Sequence, residues 1–374
     1  MSKAEAIVVG AGIAGLAVAR ALAIKGYRVR VIEKDHHAVG ASIRNFGMVW
    51  PIGQPAGELY DTAKRSAAIW KETCSGAGLF CDPEGSFHLA YHDDEVKVLE
   101  ELYELYRAER PLKLMKPDEV LHRSDAVVPE GLRLGLYSAD EVIVDPQQAI
   151  SSLPSFFQVK YGIEFIWNKQ VITVDEGSVQ TSDNIYRANL VIVCSGASFE
   201  TIFPEIASGH QATKCKLQMM RYVAQPDNWR IGPALCGGLS LIHYNSFKAA
   251  SSLSNLRKRY EDEMPEYLRW GIHVMVSQNG RGELTIGDSH EYGGTHDPFD
   301  KHFINELIFK YLARFAKFKE NQVLESWNGV YTKLTNGSPY FFSEAKPGVF
   351  VFNGLGGAGM TLSFGLAEKL VDSM

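Results

Sequence analysis

The sequence lacks several features that would point to particular protein classes. It has no apolar run long enough to span a bilayer, no internal repeat and no low-complexity linker. The five cysteines form no CxxC pair, so we expect neither a disulfide framework nor a metal site, and a reducing compartment fits. The chain also has no excess of positive charge, because the formal net charge is -6. This balance gives the chain no electrostatic reason to bind nucleic acid or an anionic membrane surface.

From the start of the sequence we expect no targeting segment. It begins MSKAEAIVVG, and a buried strand is predicted by Ile7, where a signal peptide would need a charged and then an apolar region. We therefore expect a cytoplasmic protein with no integral membrane segment. The 374 residues, 45% hydrophobic and 22% charged, suit a globular protein of two joined domains.

The first forty residues carry a dinucleotide-binding pattern. A short apolar run ends at Gly10 and predicts a strand, the glycine-rich turn GAGIAG follows, and Ile13 to Lys25 are good helix formers. Gly10 permits the tight turn, Gly12 lets a pyrophosphate approach the backbone, and Gly15 lets the helix pack against the strand. The N–H groups of the first helical turn would then bind the phosphates.

The next strand supplies a second part of the pattern. It is predicted from Arg28 and closes with Glu33, whose carboxylate can accept hydrogen bonds from ribose hydroxyls. A glycine-rich turn between a strand and a helix, followed by an acid at the end of the next strand, is typical of a dinucleotide site. The pattern alone does not separate FAD from NAD.

Three later segments bear on that choice: GASIRNFGM at 40–48, LVIVCSGA at 190–197 and VFVFNGLGGAGMT at 349–361, which precedes a predicted helix from Leu362 to Val371. Together with the opening motif they resemble the D-amino-acid-oxidase superfamily of FAD-dependent oxidoreductases, of the glycine oxidase, monomeric sarcosine oxidase and D-amino acid dehydrogenase type. The run GAGMTLSFGLAE at 357–368 resembles a bacterial subgroup associated with aminophosphonate catabolism.

The resemblance and the motifs together indicate which residues bind FAD. The resemblance implies that the closing glycine turn lies against the flavin ring, where exposed N–H groups would stabilise negative charge on the reduced ring. It also implies a backbone contact from Val171 to the adenine side. The predicted FAD-binding residues are Gly10, Gly12, Ile13, Ala14, Gly15, Glu33, Lys34, Ala41, Ser42, Arg44, Asn45, Phe46, Gly47, Met48, Val171, Ser195, Gly196, Leu355, Gly356, Gly357, Ala358, Gly359, Met360 and Thr361.

The predicted fold class is α/β and α+β. A discontinuous Rossmann-like FAD-binding domain is assigned to residues 1–84, 142–210 and 336–374, and an antiparallel-sheet substrate domain to residues 85–141 and 211–335. In the substrate domain, strands are predicted at 214–224, 272–277 and 283–287, and helices at 94–109, 255–263 and 301–318. The last helix has an apolar stripe at Phe303, Leu307, Ile308, Tyr311, Leu312 and Phe315.

The expected reaction is oxidation of a C–N bond in a small primary or secondary amine, with hydride transfer to flavin N5 and hydrolysis of the imine. Because the flavin carries the difficult step, the protein must mainly position the substrate. An anionic amine, an amino acid or an aminophosphonate, needs a cationic anchor. The candidate substrate-contacting residues are Arg44, His290, Tyr331 and Lys333, each with the alternative of an ordinary surface or core polar role.

Two departures from the sarcosine-oxidase pattern bear on chemistry. No cysteine follows Cys236, so we predict that FAD is bound non-covalently. The lysine that speeds reaction with oxygen in that family aligns with Thr285, and a second active-site lysine aligns with Thr361. The electron acceptor is therefore left open between O₂ and an electron carrier.

Two other interpretations remain. The segment GDSH at 287–290 resembles a motif of flavin monooxygenases, although about sixty residues separate it from the glycine turn that should follow closely. Alternatively, the chain is a non-catalytic FAD-carrying protein, since fold does not fix function. A monooxygenase needs NADPH to reduce its flavin, and a non-catalytic protein would be reduced by no amine.

Overall fold

The computed structural model describes residues 4–374 as a mixed α/β fold built on two large sheets. The strands are β1 (Glu5–Val9), β2 (Arg28–Ile32), β3 (Met48–Val49), β4 (Cys81–Asp82), β5 (Ser86–Ala90), β6 (Leu112–Met115), β7 (Leu134–Ser138), β8 (Val142–Val144), β9 (Glu164–Ile166), β10 (Val171–Asp175), β11 (Ser178–Thr181), β12 (Ile185–Arg187), β13 (Leu190–Val193), β14 (Ala212–Tyr222), β15 (Ala234–Cys236), β16 (Met275–Gln278), β17 (Leu284–Gly287), β18 (Glu291–Gly293), β19 (Val323–Leu334), β20 (Phe341–Lys346) and β21 (Val349–Asn353). The helices are α1 (Ile13–Ile24), α2 (Glu58–Ala77), α3 (Asp93–Tyr106), α4 (Pro117–Arg123), α5 (Pro146–Tyr161), α6 (Pro204–Gly209), α7 (Leu253–Glu263), α8 (Pro265–Arg269), α9 (His302–Leu312) and α10 (Gly359–Asp372).

The first large sheet has six strands in the order β20-β21-β13-β1-β2-β9. All neighbours are parallel except β20, which pairs antiparallel with β21. Strands β1 and β13 are almost wholly apolar because helices cover a parallel sheet on its faces. Helix α1 packs beside α10, so the first and last helices of the chain lie side by side.

The second large sheet has nine strands in the order β18-β14-β17-β16-β15-β5-β7-β6, with β19 paired to the other side of β14. All its pairs are antiparallel except β15 with β5. The long strand β19 runs beside the whole of β14, from Ala212 opposite Leu334 to Tyr222 opposite Val323. The mixed α/β fold class is thereby confirmed.

The strands also bear on the predicted domains. Every strand of the nine-stranded sheet comes from residues 85–141 or 211–335, and every strand of the six-stranded sheet from the remaining segments. The division into two domains stays a proposal, because the two sheets share one cavity. Among residues 4–374, no helix combines the length and the apolar character needed to cross a bilayer.

Several predicted bounds were wrong. Helix α9 ends at Leu312 rather than continuing to Phe318, and its stripe includes buried Ile304 in place of Phe303, which is exposed. The strand predicted from Ile272 begins at Met275. In both regions the apolar pattern continues past the element because the adjoining loop is also buried, as at Phe315 and Val274. The long strand β19 was missed, since its first four residues are exposed and give no buried pattern.

Candidate active site

A cavity of about 500 Å³ opens at the carboxyl ends of β1, β2, β13 and β21 and extends to the nine-stranded sheet. Val9, Ile32 and Asn353 line it where three of these strands end. In open parallel sheets, the carboxyl edge is where ligands bind, because the loops that leave the strands diverge there. The fold therefore brings the chain's opening and closing glycine turns to one cavity.

The opening turn can be formed only by glycine at two positions. Gly10 has a φ of +102°, and a Cβ there would lie 2.4 Å from the Cys194 carbonyl oxygen. A Cβ on Gly15 would lie 1.9 Å from the Gly10 carbonyl oxygen. Because neither oxygen can retreat without moving backbone, these glycines set how closely α1 packs on the sheet.

The first turn of α1 faces the cavity through Gly12 and Ile13. A Cβ on Gly12 would lie 3.1 Å from the Ser42 hydroxyl oxygen, which accepts a 2.9 Å hydrogen bond from the Ile13 N–H. Ser42 thus joins the opening turn to the loop that follows β2. A phosphate at this helix start would meet the N–H groups of the first turn and the Ser42 hydroxyl.

Glu33 is fixed at the edge of the same cavity. Its carboxylate accepts hydrogen bonds from the Ala11 N–H at 2.8 Å and the Asp35 N–H at 3.2 Å, and the residue is 8% exposed. Each carboxylate oxygen has two lone pairs, so both can accept a further bond. This arrangement suits recognition of ribose hydroxyls.

The closing glycine turn borders the same cavity next to the opening turn. Residues Gly356–Ala358 form a single 3-10 turn that leads into α10, and Gly356 has a φ of +57°. A Cβ on Gly359 would lie 3.6 Å from Ile13 Cγ2, so the two turns adjoin. Both present the start of a helix toward the cavity, where backbone N–H groups are free to bind negatively charged oxygen.

Most of the sequence-predicted site residues line this cavity: Gly10, Gly12, Ile13, Ala14, Glu33, Lys34, Ala41, Ser42, Arg44, Asn45, Phe46, Val171, Ser195, Gly196, Leu355, Gly356, Gly357, Gly359, Met360, His290 and Tyr331. Six others do not line it: Gly15, Gly47, Met48, Ala358, Thr361 and Lys333.

Several of these six residues lie behind the residues that line the cavity and pack against them. A Cβ on Gly47 would lie 1.9 Å from the Val144 carbonyl oxygen, so this glycine lets the 40–48 loop dock against residues near β8. Met48 is buried in the core. The Thr361 hydroxyl accepts a 2.9 Å hydrogen bond from the Trp50 N–H. These positions shape the cavity without facing it.

Arg44 has its guanidinium engaged by backbone. Nε donates to the Val39 carbonyl at 2.9 Å, and Nη1 donates to the Asn328 carbonyl at 3.1 Å. The side chain therefore ties the 40–48 loop to strand β19. Arg44 lines the cavity, but part of its donor capacity is already used, so its first role in this structure is to hold the loop.

Tyr331 and Lys333 are two residues apart on β19 and project to the same face. That face meets the closing turn, because a Cβ on Gly356 would lie 3.3 Å from Lys333 Cδ and 3.9 Å from Tyr331 Cε2. Desolvation of its charge lowers the pKa of Lys333, and no carboxylate is among the groups that shift it. Burial raises the pKa of Tyr331, so its phenol stays protonated near neutral pH.

His290 lies on the cavity wall with other histidines that the sequence analysis missed. Its ring centre is 5.2 Å from that of His273 and 4.8 Å from that of His243. Burial lowers the pKa of His290 to about 4 and that of His273 well below its usual value. All three lie outside regular strands and come from separate segments, so no spacing in the sequence signals the cluster.

Asp288, from the segment GDSH, lies in the same wall and is 5% exposed. Desolvation raises its pKa well above the usual value. Thr285, the position aligned with an oxygen-activating lysine, is buried in β17 and does not line the cavity. This segment therefore reaches the cavity through Asp288 and His290.

A family comparison accounts for this arrangement. The family model for FAD dependent oxidoreductases matches residues 5–373, which is nearly the whole chain. The chain belongs to this family. FAD is accordingly its cofactor, and the residues fit it, since Gly10 and Gly12 leave room for close approach of a phosphate and Glu33 stands where a ribose can be bound.

Individual relatives of this FAD-dependent oxidoreductase are distant in sequence. An opine oxidase subunit from Rhizobium meliloti is 22% identical over 368 residues, covering 94% of this chain and 88% of that protein. A glycine oxidase from Geobacillus kaustophilus matches with a TM-score of 0.77 and 18% identity, covering 100% of this chain and 94% of that one. An L-alpha-glycerophosphate oxidase from Mycoplasma pneumoniae, solved with FAD bound, matches with a TM-score of 0.75 and 15% identity, covering 100% and 96%.

Proposed function

We propose that this oxidoreductase oxidises the C–N bond of a small anionic primary or secondary amine, an amino acid or an aminophosphonate. The substrate would lie between the closing glycine turn and the nine-stranded sheet. The observation that carries the proposal is the pairing of Lys333 and Tyr331 on one face of β19 beside Gly356. A cation and a phenol there supply the donors that an anionic head group needs.

The reaction divides between cofactor and chain. Bound FAD supplies the hydride acceptor, so that the amine loses a hydride from carbon and a proton from nitrogen, and water then hydrolyses the imine to a carbonyl compound and an amine or ammonia. The N–H groups of Gly356 and Gly357 would hold the electron-rich edge of the ring. Tyr331 would donate its hydroxyl proton to a substrate oxygen, since burial keeps the phenol protonated by raising its pKa.

Exclusion of bulk water is the second contribution of the chain. Phe46, Leu217 and Met219 form an apolar part of the cavity wall next to the polar groups. A drier environment strengthens the hydrogen bond that Tyr331 would donate to a carboxylate or phosphonate. Arg44 would act mainly by fixing the loop that carries Phe46, through its bonds to Val39 and Asn328.

Relatives support an amine over other donors without deciding it. The names of the opine oxidase and the glycine oxidase favour an amine or amino acid as the hydride donor. The L-alpha-glycerophosphate oxidase shares the fold, and its name indicates a phosphorylated alcohol as its donor. An anionic group is common to both kinds of donor. The test must therefore include both.

The test is an anaerobic reduction screen. The holoenzyme is mixed with primary and N-methylated amino acids, with aminophosphonates and with glycerol 3-phosphate, and loss of flavin absorbance is followed, with dithionite as the reference for full reduction. We expect reduction by at least one anionic amine and by no neutral amine of the same size at comparable rate. Reduction by glycerol 3-phosphate alone would refute the proposal.

Two further outcomes separate the remaining interpretations. Reduction by NADPH but by no amine would point to a monooxygenase, and reduction by dithionite alone would point to a non-catalytic flavoprotein. Reoxidation of the amine-reduced enzyme in air, compared with reoxidation by a quinone or a dye, then assigns the acceptor. We propose that a carrier competes well with O₂, because Thr285 and Thr361 replace both lysines of the oxidase pattern.

A further inference from the structure

Three histidines and one aspartate meet on the cavity wall opposite the closing turn. One ring nitrogen from each of His243, His273 and His290 lies within 4.8 Å of the others. His273, His290 and Asp288 are each buried, and His243 is exposed at the cavity. Imidazole nitrogens this close together can share a common ligand.

The Gly271 carbonyl determines which ring nitrogen of His290 carries the proton. The His290 Nδ1 lies 2.9 Å from the Gly271 carbonyl oxygen, which can only accept a hydrogen bond. The proton of the neutral ring is therefore on Nδ1, and Nε2 carries a lone pair.

His273 also has one ring nitrogen beside a polar group, but here that nitrogen is Nε2. Its Nε2 lies 3.0 Å from Asp288 Oδ1, within ion-pair distance. Its Nδ1 is buried and has no hydrogen-bond partner among residues 4–374. A buried imidazole with one nitrogen beside a carboxyl group and the other nitrogen available as a ligand resembles the outer-sphere pattern of metal-bound histidine.

We propose that His243, His273 and His290 bind one zinc-class divalent metal ion, with Asp288 positioning His273. The sequence did not predict a metal site, because the expectation of no metal site was based on the cysteines alone. Imidazole nitrogens are preferred ligands for zinc and similar ions, and three histidines plus one open position is the donor set of a catalytic zinc site.

Metal binding requires one ring to move, because the His243 ring centre lies only 3.7 Å from that of His273. Zinc–nitrogen bonds of about 2.0–2.1 Å at tetrahedral angles separate the nitrogens by about 3.4 Å. The side chain that must move is the exposed His243, which follows a short 3-10 helix at 238–242 and is held by no regular sheet pairing. His273 and His290 are already oriented by Asp288 and Gly271.

The open coordination position would face the cavity. If the proposed amine oxidation holds, on which this step rests, a carboxylate or phosphonate oxygen of the substrate would complete the coordination. His290 would then act on the substrate through the metal rather than directly. Lys333 and the metal would together neutralise a dianionic head group, which fits a phosphonate better than a carboxylate.

The test measures binding and needs no turnover. Holoenzyme without a histidine tag is stripped with EDTA, exchanged into metal-free buffer and titrated with Zn²⁺ by calorimetry, and the loaded sample is studied by zinc X-ray absorption. We expect about one equivalent and nitrogen scatterers at about 2.0–2.1 Å. The variants His273→Asn and His290→Gln should bind at least about 100-fold more weakly, and Asp288→Asn about 10- to 100-fold more weakly.

The exposed His122→Gln serves as the matched control and should bind zinc as the wild type does. Retained flavin and an unchanged melting temperature in EDTA establish that each variant is folded. Should a buried variant lose flavin, the exposed His243→Asn replaces it. Zinc binding by the wild type no tighter than by His273→Asn or His243→Asn overturns the proposal, whatever the amine screen gives.

Discussion

Lys333→Met removes the ammonium beside Gly356 while keeping the length and much of the volume of the side chain. If Lys333 anchors the substrate anion, the variant loses one charge-assisted hydrogen bond, worth about 1.5–3 kcal/mol. Because the residue is exposed, solvent screening reduces this contribution to about 1 kcal/mol. At about 1.36 kcal/mol per factor of ten, kcat/KM for an anionic amine should fall about 5-fold.

The assay compares two substrates that differ in charge alone. Anaerobic stopped-flow reduction gives the rate constant for an amino acid that reduces the flavin and for its uncharged amide. We expect the rate constant for the acid divided by that for the amide to fall in Lys333→Met and to stay unchanged in Lys333→Arg. The ratio should also be unaffected by Lys97→Met on the exposed face of α3.

A particular result would refute this reasoning. If Lys333→Met lowers the rate for acid and amide by the same factor, the lysine contributes to packing or to flavin binding and not to recognition of the anion. A loss of rate in Lys333→Arg as large as that in Lys333→Met would lead to the same conclusion. The fall must also appear in kcat/KM, since an anchor that binds the ground state and the transition state equally leaves the maximal rate unchanged.

Other predictions concern the cofactor and the fold. Glu33→Ala should release FAD during gel filtration, because two N–H groups and the ribose lose their acceptor; full flavin content would argue against this role. Acid precipitation should leave the yellow colour in the supernatant, whereas colour in the pellet would mean a covalent bond. Gly15→Ala should destabilise by about 1–3 kcal/mol or more, as its Cβ meets the Gly10 oxygen, while Gly40→Ala, with open space among the described residues, should be neutral in thermal melts. Buried Glu141 has a pKa raised to about 7 by desolvation, so its contribution to stability is present below about pH 4.5 and is lost as pH rises to 7; melting temperatures of Glu141→Gln should lack that slope.

The cofactor side of the cavity was predictable because its determinants are local in the chain. Gly10, Gly12 and Gly15 lie within six residues, and Gly15 meets the Gly10 carbonyl oxygen of the same strand-turn-helix unit. Glu33 follows one strand later, at a distance set by α1 and β2 alone. Such short segments fold into nearly one geometry, so sequence spacing translates directly into spatial arrangement.

The substrate side was only partly predictable because its residues meet through long-range pairing. His243 follows a short 3-10 helix, His273 precedes β16 and His290 follows β17, and only the antiparallel pairing of β16 with β17 brings the last two together. A one-residue change in register would turn their side chains to the other face. No pattern in a single sequence reports that register.

Strand β19 combines a feature that is local in the chain with one that depends on long-range pairing. The period of two predicts that Tyr331 and Lys333 share a face, which is a local inference. What that face meets depends on the pairing of β19 along β14 and on the closing turn, where Gly356 has no side chain. A Cβ there would stand 3.3 Å from Lys333 Cδ, tighter than most such contacts, so the glycine leaves room for the lysine to approach. The same residue that frees backbone N–H groups for the cofactor thus also admits the cation proposed to hold the substrate, and this explains why one turn can serve both ligands.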